Sequence, residues 1–107
     1  MDTLEKHLYV NQLFYYYQVL LTERQQEILH YYYEENYSLH EIAELLGVSR
    51  NAVHDQLKRT VDKLEDYEHK LGLLKRAEAR SAIIERLEER LDGRETKALL
   101  EQLKKVE

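Results

Sequence analysis

Ser49, Arg50, Asn51, His54, Asp55, Lys58 and Arg59 crowd into eleven consecutive residues. Their types suit them to hold nucleic acid. An arginine fork matches guanine, an asparagine amide matches adenine, and Lys58 and Arg59 lie where phosphates would be met. His54 can take either part. Asp55 opposes the phosphate backbone unless it reads a cytosine. Val53, Leu57, Val61 and Leu64 recur among them at intervals of four, four and three, which makes one inward helical face. If those turn inward, Arg50, Asn51, His54, Asp55 and Lys58 turn outward.

Other chemistries find less support. Ser49, His54 and Asp55 supply the residue types of a catalytic triad, but a single exposed helix cannot arrange the buried, oriented relay that catalysis needs. His7, His30, His40, His54 and His69 do not pair at metal-ligand spacing. The absence of cysteine removes thiolates and disulfides, and there is no glycine-rich phosphate loop. The expectation is a protein without enzymatic activity, metal or cofactor.

The elements that must position this face are all helical. Among 107 residues there is no proline and only three glycines, Gly47, Gly72 and Gly93, while strong helix formers dominate. A first helix is predicted from Thr3 to Leu20, capped by Asp2 or Thr3, with Leu4, Leu8, Leu13, Tyr17 and Leu20 as its apolar stripe. Thr22 opens a second with the capping box TERQ, an inward stripe of Ile28, Leu29, Tyr32 and Tyr33, and a stop at Asn36. Ser38 opens a third through SLHE, burying Ile42, Ala43, Leu45 and Leu46. Gly47 makes a tight turn, Val48 plugs the gap beneath it, and Ser49 caps the fourth helix.

Residues 38–60 thus carry the constraints of a helix-turn-helix, with Ala43 small where the two helices cross. Beyond Leu64, Tyr67, Leu71, Leu74, Ile84, Leu87 and Leu91 form a stripe broken at Gly72. Gly93 then separates a last helix containing Ala98, Leu99, Leu100 and Leu103. The expected organisation is a helical bundle over residues 1–70 and a long C-terminal helical extension over 71–107. Its uncovered apolar positions favour a homodimer.

Two tyrosine triplets, FYYYQ and HYYYE, cannot each face the core, because three consecutive residues span about 200° of a helix. Tyr17 and Tyr32 are expected inside, Tyr15 and Tyr31 outside. The exposed rings could serve a protein partner or stacked RNA bases, but packing at the edge of a small core is the favoured reading.

Charge tempers the nucleic-acid reading. The formal net charge is −5. Residues 1–48 hold eight acids against two bases; residues 49–63 hold four bases against two acids; the rest is nearly balanced. The one positive block coincides with the fourth helix, a weak footprint beside the strongly basic face usual for DNA readers. MDTLEKHLYV does not read as a secretory signal, and no apolar run approaches the roughly 18 residues of a membrane span. A cytoplasmic location is expected.

The stretch LTERQQEILHYYYEENYSLHEIAELLGVSRNAVHDQLKRTVDKL resembles region 4 of bacterial sigma factors, which reads the −35 promoter element. NQLFYYYQVLLTERQ, YYEENYSLHEIAE, GVSRNAVHDQLKRT and LEDYEHKL together are similar to the YlxM family over about residues 10–74. These are small helix-turn-helix proteins whose gene neighbours that of the signal recognition particle GTPase in many Gram-positive bacteria and mycoplasmas. The resemblance implies a sigma-region-4-like fold and an accessory or regulatory role in the signal recognition particle pathway, with the GTPase, its receptor or the RNA as partner. Ser49, Arg50, Ala52, Val53, Asp55, Lys58, Arg59 and Thr60 match its pattern in the fourth helix, and His54 stands where the pattern implies a tyrosine. The alternatives from the residues alone are a sequence-specific regulator bound to duplex DNA and a dimeric adaptor with no nucleic-acid role.

Overall fold

The computed structural model describes residues 2–106, which form six α-helices and no strand among the described residues. They are α1 (Thr3–Tyr17), α2 (Glu23–Leu29), α3 (Leu39–Leu46), α4 (Arg50–Leu71), α5 (Leu73–Arg90) and α6 (Arg94–Lys105). The fold is all-α. Its contacts divide it at Leu71/Gly72 into two compact units.

In the first unit, local chemistry sets each boundary. The Asp2 carboxylate accepts from the Glu5 amide at 2.8 Å and caps α1. Thr22 with Gln25 and Ser38 with Glu41 form complete capping boxes at the starts of α2 and α3. The two hydrogen bonds from Ser38 hold the Glu41 carboxyl below its usual pKa. Gly47 sits at φ 66°, the left-handed conformation that ends α3 without Cβ strain. The Ser49 hydroxyl then accepts from the Ala52 amide at 3.1 Å and starts α4.

All of α1, α2 and α3 pack against α4. Val53, Leu57, Val61 and Leu64 are buried as their spacing predicts, and Thr60 joins them, its hydroxyl donating to the Gln56 carbonyl at 2.7 Å. Val10, Leu13, Phe14 and Tyr17 face them from α1, and Ile28, Leu29, Ile42 and Ala43 complete the core. The Tyr17 hydroxyl donates to Glu68 of α4 at 2.6 Å, giving a buried ring a polar outlet.

Several expected core positions lie elsewhere. The α-helical part of α1 ends at Tyr17, and Gln18–Leu20 tighten into a 3₁₀ turn. Leu4 (68% exposed), Leu8 (57%) and Leu20 are on the surface. Helix α1 carries two interleaved apolar stripes, and the one containing Val10 and Phe14 meets α4. Leu45 is 57% exposed and Val48 is also open to solvent, so neither fills the turn. The Ala43 carbonyl accepts from the Val48 amide at 3.1 Å instead, and this backbone bond closes the turn.

The second tyrosine triplet shows a different cause. His30–Glu34 form a π turn, in which the Glu35 amide reaches back five residues to the His30 carbonyl at 3.0 Å. Each residue there turns through a smaller angle than in an α-helix, so the phase slips. Tyr33 therefore becomes the buried ring, while Tyr31 and Tyr32 are half-buried. Tyr31 does not lean into solvent; it stacks on Tyr37 with centroids 5.3 Å apart and planes 4° from parallel. The Asn11 side-chain amide donates to the Tyr33 carbonyl at 3.1 Å and braces the wide turn from α1. Asn36, at φ 59°, ends the segment as asparagine can.

In the second unit, α5 and α6 pack on each other, and Ile84 and Leu100 are buried. Lys104 pairs with Glu88 across the two helices, and that hydrogen bond raises the lysine pKa. Gly72 at φ 64° separates α4 from α5 where the break was expected. Leu87 and Leu91, expected in the stripe, are exposed, as are Ile83, Leu99 and Leu103.

The choice between the stripes of α1 is directly measurable by denaturant unfolding. Phe14→Ala, in the stripe that meets α4, should cost about 3–5 kcal/mol, the range for emptying a core phenylalanine site. Leu4→Ala should change stability by no more than about 0.5 kcal/mol.

Candidate nucleic-acid interface

Burial of the inner face of α4 determines what its outer face offers. Arg50, His54 and Lys58 follow one another at four-residue spacing, and Asn51, Asp55 and Arg59 form a second row beside them. All six, and Ser49 at the cap, are exposed. The structure thus brings together on one ridge every residue proposed from the sequence to contact nucleic acid. None has its charged group committed to a neighbouring helix in the contacts described.

Asp55 is less isolated than its place in the sequence suggests. Its carboxylate lies 3.6 Å from His54 Nδ1, and its backbone carbonyl accepts from Arg59 Nε at 3.4 Å.

Each row borders a hollow. On one flank, a recess of about 280 Å³ is lined by Gln56, Arg59 and Thr60 of α4 and by Arg24 and Gln25 of α2. Arg24 escaped the sequence reading. It faces the same space as Arg59, so two guanidinium groups and two glutamine amides converge, a donor-rich set suited to phosphate oxygens. A signal was present: a base in the first turn of a helix runs against the helix dipole, which favours acids there. On the other flank, His54 and Lys58 border a hollow of about 490 Å³ that also includes Lys6, Tyr32 and Tyr33. Among the described residues no cluster of three His, Asp or Glu could hold a metal ion, and no helix is long and apolar enough to cross a membrane.

Comparison with known families fits this geometry. The model of UPF0122, described as "Putative helix-turn-helix protein, YlxM / p13 like", matches residues 4–106. The chain belongs to the UPF0122 family. It is 48% identical over 108 residues to a UPF0122 protein of Halalkalibacterium halodurans, covering 97% of this chain and 99% of the relative. A UPF0122 protein of Bacillus licheniformis is 45% identical over 106 residues, covering 98% and 99%. One from Listeria monocytogenes is 44% identical over 78 residues, covering 68% of this chain and 71% of the relative. The family description names a helix-turn-helix protein and no reaction, and the match extends through α5 and α6, beyond the residues that carried the resemblance in the sequence.

Tyr33, beneath the ridge, gives this UPF0122 protein a titratable marker. Burial raises its phenol pKa above the usual 10.0, with smaller contributions from Tyr32 and the Glu65 carboxylate. Because the folded state holds this proton more tightly than the unfolded chain, the stabilisation is complete below pH 10 and is lost as pH rises through the folded pKa. Denaturant unfolding across pH 9–11.5 should show a steeper alkaline loss of stability for the native chain than for Tyr33→Phe. Parallel curves would mean that the phenol is not held in its neutral form.

Proposed function

We propose that the protein is a non-enzymatic accessory or regulatory component of the signal recognition particle pathway that uses the α4 ridge to contact the particle's RNA. The GTPase and its receptor are the protein partners this role implies. The observation that carries the reading is the convergence of Arg24 with Arg59 on one flank of a ridge that exposes Ser49, Arg50, Asn51, His54, Asp55, Lys58 and Arg59. The pathway itself rests on the YlxM-like sequence pattern. A local cluster of cations on a chain of net charge −5 suits a short stretch of backbone better than a long duplex tract.

A second reading has its own support. Arg50 and Asn51 are exposed at the first turn of α4, where a recognition helix would present base-reading side chains to a major groove. That favours a sequence-specific DNA-binding regulator as the alternative. Exposed Ile83, Leu87, Leu91, Leu99 and Leu103 support a homodimer in either case, and light scattering at tens of micromolar should return twice the chain mass.

Fluorescence anisotropy against salt separates the two readings. Binding to the particle's RNA should fall with rising salt, and the double variant Arg24→Ala/Arg59→Ala should lower the slope by about two released counterions. Tighter binding to a defined DNA duplex than to this RNA, lost in Arg50→Ala/Lys58→Ala, would transfer the function to the regulator. A flat baseline with both nucleic acids would leave the protein partners alone.

A further inference from the structure

The larger hollow, about 490 Å³, falls within the roughly 300–1,000 Å³ typical of small-ligand sites. Its floor is apolar, with Leu57 and Val61 of α4 behind it, and the half-buried ring of Tyr32 forms a wall. Tyr32 is held in place by edge contact with Tyr33, centroids 4.9 Å apart, and by His7 at 5.6 Å. A π turn positions this wall, a backbone feature frequent at functional sites.

Its charges are ordered. Along α4, Lys58 comes first, Asp62 one turn later and Glu65 after that, so the rim passes from cationic to anionic over about 10 Å of helix. Lys6 adds a second cation from α1. Among the described residues, Lys58 and Asp62 stand four residues apart without forming an ion pair, and Lys6 and Glu65 form none either. Opposite charges around one recess thus keep their hydrogen-bonding capacity for something else.

Ionised carboxylates only accept hydrogen bonds. Guanine offers two adjacent donors, N1–H and N2–H, on its Watson–Crick edge, whereas adenine and cytosine set a ring acceptor beside their amino group. A flat base suits a tyrosine wall, and a phosphate suits paired lysines. We propose that this recess binds a guanine nucleotide, with the base against Tyr32, its donor edge on Asp62 and Glu65, and its phosphate between Lys6 and Lys58. The guanine comes either as a free nucleotide or as an unpaired residue of an RNA; only the second source rests on the function proposed above. Because His54 and Lys58 belong both to this recess and to the α4 ridge, occupancy would alter what the ridge can hold.

Calorimetric titration of the full chain with GMP, AMP, a uridine hexanucleotide and the same hexanucleotide carrying one guanosine tests this. GMP should bind at least about tenfold more tightly than AMP, as expected for charge-assisted hydrogen bonds. Asp62→Asn/Glu65→Gln should abolish the preference while circular dichroism keeps its helical signature. GMP binding assigns a free nucleotide. Binding of the guanosine-containing hexanucleotide alone assigns an unpaired RNA guanine. Equal affinity for GMP and AMP, or no heat with GMP and either hexanucleotide, overturns the proposal.

Discussion

The burial of one row of α4 is the constraint on which the rest of the first unit depends. Val53, Leu57, Thr60, Val61 and Leu64 are buried on a helix against which α1, α2 and α3 all pack. Sealing that row fixes the rotation of α4 about its axis. Once the rotation is fixed, Arg50, His54 and Lys58 cannot point anywhere but outward, and Asn51, Asp55 and Arg59 must lie beside them. The candidate interface is therefore a consequence of core packing, and the polar residues need no packing partners of their own.

The two flanks of the ridge follow from the same arrangement. Helix α2 reaches α4 through Ile28 and Leu29, and its first turn then carries Arg24 to the space below Arg59. Helix α1 and the π turn approach from the other side and deliver Lys6 and Tyr32. One flank carries two arginines and no carboxylate, while the other mixes lysines, carboxylates and an aromatic wall. That difference in chemistry is why a backbone phosphate suits the first and a base with its phosphate suits the second.

Much of this was legible in the sequence, and the exceptions have physical reasons. Ser38, Gly47 and Ser49 act through their own backbones or through neighbours three residues away, so local reading locates them. The row on α4 was legible because its apolar positions are interrupted by charges. Helix α1 has apolar residues on both faces, and periodicity alone cannot say whether Leu4 or Val10 meets the core. Tyr33 displaced Tyr32 because a π turn shifts the helical phase without any glycine or proline to announce it. Arg24 became a site residue only through the fold, which sets it against Arg59 from thirty-five positions away in the chain.

Family membership and fold agree on a helix-turn-helix protein, and the ridge of α4 is the part of that scaffold with chemistry to spare. The most direct test is to record amide chemical shifts of the labelled protein while the signal recognition particle RNA is added. The account predicts perturbations concentrated at Arg24 and Gln25 and along Ser49 to Arg59, with the buried row following more weakly. Perturbations confined to α5 and α6, or spectra unchanged at saturating RNA, would contradict it.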